Sequence, residues 1–172
     1  MTKRLGKILF ILYIIGLIWL ILFKISFHPI TYLELVNTRS LNLVPFAMSG
    51  GSREILYNII AFIPFGILFG MNAPKWSFLT KVILSFALSL SFESLQYLLA
   101  IGASDITDII TNTLGALIGL SFYALLIKIF SKTKVNIVLI SLFCLLLGFV
   151  LFFIGQTLFW IISHSIKLIV SS

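Results

Sequence analysis

Residues 84–120 read LSFALSLSFESLQYLLAIGASDITDIITNTLGALIGL, and the way this stretch folds decides the rest. Its two halves belong to apolar runs, about 78–100 and 106–130, that are long enough to cross a membrane, which takes about 20 residues, and only IGASD joins them. Yet each half carries a polar stripe. Ser89, Glu93 and Gln96 stand four and three residues apart on the first, and Asp105, Asp108 and Asn112 stand three and four apart on the second, so each set shares a helix face. An ionised carboxylate facing lipid costs roughly 2.5–3.5 kcal/mol at mid-membrane even on lenient scales. The stretch therefore predicts two adjacent transmembrane helices whose polar stripes turn toward protein, water or a ligand near a common mouth.

The rest of the chain agrees. Of 172 residues, 60% are apolar and 10% charged, with a mean hydropathy of +1.20, whereas soluble domains run near about 45–50% apolar and 25% charged. Further apolar runs cover about 8–23, 55–71 and 135–153, beside those at about 78–100 and 106–130. This predicts an all-α, polytopic transmembrane helical bundle of about five spans, a single domain over residues 1–172. Lys3, Arg4 and Lys7 before the first run resemble a signal peptide, but its core is long and no small-residue cleavage pattern closes it, so it reads as an uncleaved helix. Residues 154–172 are apolar but broken by Ser163, His164, Ser165 and Lys167; they could continue the fifth helix, lie at the interface, or form a sixth span.

Charge sets the orientation. The net charge of +7 would raise nucleic acid as a partner in a soluble protein, but the basic residues sit in ones, twos and threes between apolar runs, as topology anchors do. With a cytoplasmic N-terminus, Lys3, Arg4, Lys7, Lys75, Lys81, Lys128, Lys132 and Lys134 fall inside, against Lys24, Arg39 and Arg53 outside, with Lys167 undecided. All five acidic residues then belong to the extracytoplasmic side. Cys144, the single cysteine, reads as a small buried hydrophobe.

Other segments bring polar groups to the same side. Asn58 lies one turn inside the second run, followed by Pro64, which bends a helix, and by Gly66 and Gly70. Gly115 and Gly119 form a second small-residue pair below Asn112, where another helix backbone could approach closely. Upstream, Arg39, Asn42 and Arg53 flank Pro45, which restricts Val44 to extended geometry, so residues 42–46 could form an ordered arm across the helix mouths. Either Arg could neutralise the acids or hold an anion, since a guanidinium forks onto phosphate and carboxylate alike. Structural roles compete at single positions: Asp105 sits where a helix N-cap would, and Asn58 could simply bridge two helices.

Taken in order, Arg39, NLVPF at 42–46, Asn58, FIPFG at 62–66, ESLQ at 93–96 and DITDIITNTLG at 105–115 resemble the pattern of the VanZ-like family of bacterial membrane proteins. The likeness covers about residues 39–120. Members often place an Arg just before the Asp-x-x-Asp element, where this chain has IGAS. The resemblance implies a multi-pass protein of the bacterial cytoplasmic membrane, in a family named for lowered sensitivity to teicoplanin, a lipoglycopeptide.

Three functions compete. A cell-envelope protein could bind an amphiphilic or lipid-linked ligand at the extracytoplasmic face, a lipid-linked wall precursor or a lipid-tailed antibiotic, with Arg39, Asn42, Arg53, Asn58, Glu93, Gln96, Asp105, Asp108 and Asn112 as its contacts. An enzyme acting on a lipid-linked phosphate or sugar would use Glu93, Asp105 and Asp108 as acid and base, or gather a divalent cation with Gln96 and Asn112 as further oxygen ligands; no other cofactor is expected. A small transporter or scaffold would use the same glycines for packing, though a transport path needs polar groups in the inner half, which reads as dry. Membrane lipids are the expected surroundings, and nucleic acid is not an expected partner.

The orientation is testable by single cysteines in a Cys144→Ser background. An impermeant thiol reagent applied to intact cells should label Arg39→Cys and spare Lys75→Cys; the reverse result would move the acidic mouth to the cytoplasm.

Overall fold

The computed structural model describes residues 2–22, 38–47 and 51–171. In chain order they form α1 (Thr2–Leu22), β1 (Thr38–Asn42), α2 (Ser52–Asn72), α3 (Phe78–Leu99), β2 (Ile101–Asp105), α4 (Ile106–Ile129) and α5 (Lys132–Ser171). Among the described residues, five helices are long and apolar enough to cross a membrane, over Thr2–Ile21, Ser52–Asn72, Phe78–Leu99, Ile106–Ile129 and Lys132–Thr157. The chain is a polytopic membrane bundle. Backbone in hydrocarbon has no water to bond, so each Leu-, Ile- and Phe-rich span closes its own hydrogen-bond ladder.

Local signals set the boundaries. Ser77 opens α3 by accepting from the Thr80 N–H at 3.0 Å, and Ala100 closes it in the left-handed conformation at φ 54°. Asp105 caps α4, its Oδ1 accepting from the Thr107 N–H at 2.7 Å. Pro64 lies inside α2, where it removes one backbone donor. In the adjoining turn the Tyr13 hydroxyl of α1 donates to the Ala61 carbonyl at 2.6 Å, a tie between spans that no sequence spacing announced. Residues 154–171 continue the fifth helix, which at about 1.5 Å per residue is roughly 60 Å long, twice the hydrocarbon thickness.

Two short strands add to the expected all-helical plan. IGASD is more than a connection: β2 pairs with β1 in parallel, Thr38 opposite Ile101 through Asn42 opposite Asp105. Both α2 and α3 lie between the strands in sequence. The sheet therefore ties the segment ahead of α2 to the start of α4.

Helices α2 and α4 make the most intimate contact of the bundle. A Cβ on Gly66 would run into the Ala116 carbonyl, one on Gly115 into that of Ile59, and one on Gly119 into that of Ile63, each closer than real Cβ atoms come. Two apolar clusters flank this seam. Leu9, Ile67, Leu68, Met71 and Leu139 join α1, α2 and α5 toward the N-terminal end, while Leu17, Phe62, Phe65, Phe92 and Ala116 join α1 to α4 farther along. Phe10 stacks on Phe69 at 5.7 Å between centroids and tilts against Phe65 at the same distance.

The crossing should tolerate no side chain. We expect Gly119→Leu to lower the melting temperature in detergent sharply, since overpacking costs about 1–3 kcal/mol where neighbours can shift and here the obstacle is backbone. Gly148→Leu, whose Cβ meets nothing within 4 Å, should melt like the wild type. Equal behaviour of the two would contradict the close crossing.

Candidate functional site

The start of α4 gathers the acids. Asp105, Asp108 and, from α3, Glu93 are 8%, 6% and 2% exposed, so all three carboxylates are buried together at one end of the bundle. Burial on this scale requires partners, and the structure supplies them. The Glu93 Oε2 accepts from the Asp105 N–H at 2.8 Å, while its backbone carbonyl accepts from the Ser104 hydroxyl at 3.0 Å. Glu93 thus clamps β2 twice.

Asp105 uses both carboxylate oxygens. Oδ1 caps α4, and Oδ2 accepts from Asn42 Nδ2 at 3.1 Å across the sheet, where the register sets the two residues opposite each other. Asn42 Oδ1 then accepts from the Val44 N–H at 3.1 Å, which turns the chain. Two residues on, Phe46 takes a left-handed backbone, φ 61°, and its N–H donates to the Thr107 hydroxyl at 3.0 Å. A bulky residue rarely adopts that conformation, so the Thr107 bond holds the arm in place. Leu41, Leu43, Val44 and Phe46 are left 55–65% exposed around the cluster.

One turn deeper, Asp108 Oδ1 accepts from Asn58 Nδ2 of α2 at 2.7 Å. Asn112 Nδ2 donates to the Ser89 hydroxyl of α3 at 3.0 Å. Gln96 Nε2 donates to the Ile21 carbonyl at 2.7 Å, filling one of the acceptors that the end of α1 leaves open. Gln96 and Asn112 are 0% and 1% exposed, and Gln96 Oε1 and Asn112 Oδ1 accept from no group among the described residues. Ser85 is also fully buried, so the N-terminal half of α3 is less dry than its sequence suggests, but its hydroxyl donates to the Lys81 carbonyl of its own helix.

Of the residues the sequence singled out, Asn42, Asn58, Glu93, Gln96, Asp105, Asp108 and Asn112 therefore converge. Arg39 belongs to β1, beside Gly102, but its side chain lies outside the described residues, as does His28. Arg53 is exposed in the first turn of α2, and no hydrogen bond joins it to the acids among the described residues. Pro45 sits in the turn after β1, and Gly66, Gly115 and Gly119 at the α2–α4 contact. Sequence reasoning missed Ser104 and Thr107, whose hydroxyls complete the cluster without any spacing signal of their own. No three His, Cys, Asp or Glu side chains among the described residues stand close enough together to hold a metal ion.

The family model described as VanZ/LLP1 matches residues 10–131. The chain is also 44% identical over 147 residues to Protein VanZ of Enterococcus faecium, which spans 86% of this chain and 91% of that relative. This chain belongs to the VanZ/LLP1 family. No solved structure matches it significantly. The family match begins within α1, ahead of the motif core at 39–120, and α1 contributes the carbonyl that Gln96 holds.

Glu93 divides its structural role from its charge. Glu93→Gln keeps an oxygen for the Asp105 N–H, whereas Glu93→Ala leaves that donor buried without it, a loss of about 1–3 kcal/mol. Thermal melts in detergent should rank wild type close to Glu93→Gln and well above Glu93→Ala; equal melts for both variants would remove Glu93 from the architecture.

Proposed function

We propose that the chain binds an amphiphile at the extracytoplasmic face of the cytoplasmic membrane, with the ligand's polar head in the acid and amide cluster and its apolar tail alongside the β1 arm. The observation that carries this reading is that two fully buried amide oxygens, Gln96 Oε1 and Asn112 Oδ1, accept from no group among the described residues, each about one helical turn from a buried carboxylate, Glu93 on α3 and Asp108 on α4. Such oxygens can only accept. They suit a headgroup rich in hydroxyl or ammonium donors, as sugars and amino sugars are. Exposed Leu43, Val44 and Phe46 give the mouth an apolar rim on which a hydrocarbon tail could lie.

A lipid-linked wall precursor and a lipid-tailed glycopeptide both have this composition. The resemblance to a family named for teicoplanin sensitivity agrees with either, since changed presentation of a wall precursor or capture of the drug would alter sensitivity without a bond being made or broken.

Asp108→Asn is the sharpest test, because Asn keeps the size and the oxygen that Asn58 bonds while removing the charge. Native mass spectrometry of wild type purified with its membrane lipids should show a polyprenyl-linked wall-precursor species that Asp108→Asn and Glu93→Gln lose at normal folded yield. Equal retention of every lipid, with unchanged glycopeptide sensitivity in cells, would leave the cluster a purely structural one.

A further inference from the structure

The opposite end of the bundle carries a second polar site. Lys3 and Lys7 of α1 and Lys132 at the start of α5 line a cavity of about 310 Å³ together with Asn72 and Asn136. All three lysines are exposed, so their ammonium groups are open to a ligand. An adjoining cavity of about 510 Å³ shares Lys7, Asn72 and Pro74 with the first, and adds Lys75 and the apolar wall of Phe10, Ile11, Phe69 and Trp76. Among the described residues no carboxylate lines either cavity. Glu93, Asp105 and Asp108 are gathered at the far end of α3 and α4.

The two amides have fixed roles. Asn136 Oδ1 accepts from the Tyr123 hydroxyl at 3.0 Å, which leaves its Nδ2 as the group for a ligand, a donor. Asn72 Nδ2 donates to the Gly6 carbonyl at 3.1 Å and the Leu68 carbonyl at 2.9 Å, which leaves an acceptor, Oδ1. Three ammonium groups, one amide donor and one amide acceptor next to an aromatic wall match an anionic phosphodiester that bears a hydroxyl and a hydrocarbon chain. Charge counting alone explains why lysines lie on this side. It does not explain why they surround a cavity between α1 and α5, nor why that cavity shares Lys7, Asn72 and Pro74 with one walled by Phe10 and Trp76.

We propose that the paired clefts form a binding site for an anionic glycerophospholipid of the adjacent leaflet, with its phosphate among Lys3, Lys7 and Lys132, a headgroup hydroxyl on Asn72 Oδ1, and the upper acyl chain against Phe10, Ile11, Phe69 and Trp76. Basic pockets between transmembrane helices are suited to such headgroups. The site is independent of the acidic cluster. Because the lipid would touch α1, α2 and α5, it would brace three spans that otherwise meet mainly through apolar contact.

The test is native mass spectrometry of the full chain in detergent, titrated with phosphatidylglycerol, phosphatidylcholine or inorganic phosphate. Phosphatidylglycerol should bind one to one and in preference to phosphatidylcholine, and inorganic phosphate, which has no chain, should not displace it. Lys7→Gln with Lys132→Gln should weaken phosphatidylglycerol by about thirtyfold, on the basis of roughly 1 kcal/mol for each lysine. Lys128→Gln with Lys134→Gln removes the same charge from residues that line neither cavity and should leave binding near the wild-type value. Equal loss in the two double variants would reduce the site to diffuse surface charge, and displacement by phosphate would make it a free-anion site; either overturns the proposal. If the first double variant fails to fold, Asn136→Asp, similar in shape but negative, should still lower phosphatidylglycerol affinity. Wild-type affinity in that variant would overturn the assignment as well.

Discussion

Everything at the acidic end depends on how closely α2 approaches α4. Gly66, Gly115 and Gly119 remove the side chains that would hold the two backbones apart, and only at that separation does the short Asn58 amide reach Asp108 at 2.7 Å. In a membrane, helices gain little by hiding apolar surface from lipid, so association relies on close van der Waals packing and on interhelical hydrogen bonds. The glycines and the Asn58–Asp108 bond are two halves of one device. The crossing brings the polar pair together, and the polar pair gives the crossing a register that sliding apolar surfaces would lack.

The carboxylates then do two things at once. Asp105 divides its oxygens between the α4 cap and Asn42, and Glu93 holds the Asp105 N–H, so the cluster anchors β2, the arm after β1 and the first turn of α4 in one network. Each such bond to a charged group contributes about 1.5–3 kcal/mol, offsetting a desolvation that a lone carboxylate could not sustain. This accounting also separates structure from recognition. Asp105 has its oxygens committed, whereas Gln96 and Asn112 have spent only their donors. On the proposed function, the amides, more than the capping acid, are the groups with capacity left for a headgroup.

The spans were legible because hydrocarbon imposes one simple demand, a long apolar run with an internally bonded backbone, and five runs met it. The stripes of Glu93 with Gln96 and of Asp108 with Asn112 were legible because a helix puts such residues on one face and lipid penalises them there. The parallel pairing of β1 with β2 was not. Each strand is five residues long, and their partners lie 63 positions apart in sequence across two membrane helices, so no local pattern records the register. Thr107 and Ser104 were missed for a related reason: a hydroxyl near a helix start has many possible uses, and only the fold shows that one receives the Phe46 N–H and the other bonds the Glu93 carbonyl. The tail at 154–171 could not be assigned because continuing a helix, lying flat and crossing again all favour the same apolar composition.

The polar groups at the two ends of the bundle are of opposite kind, and this follows from what each end must bond. Amide and carboxylate oxygens at the β-sheet end are acceptors, and part of their capacity is consumed by backbone N–H groups that the strands and the start of α4 expose. The N-terminal end has the complementary chemistry. There Asn72 serves the Gly6 and Leu68 carbonyls, and lysine ammonium groups, which only donate, surround the space between α1 and α5. On the proposed orientation, the same lysines that fix the topology by their number would also, by their placement, meet the anionic phosphates of the cytoplasmic leaflet, while the acceptor-rich mouth faces hydroxyl- and amine-bearing headgroups outside. One asymmetry of charge would then set both the direction of insertion and the chemistry presented at each surface.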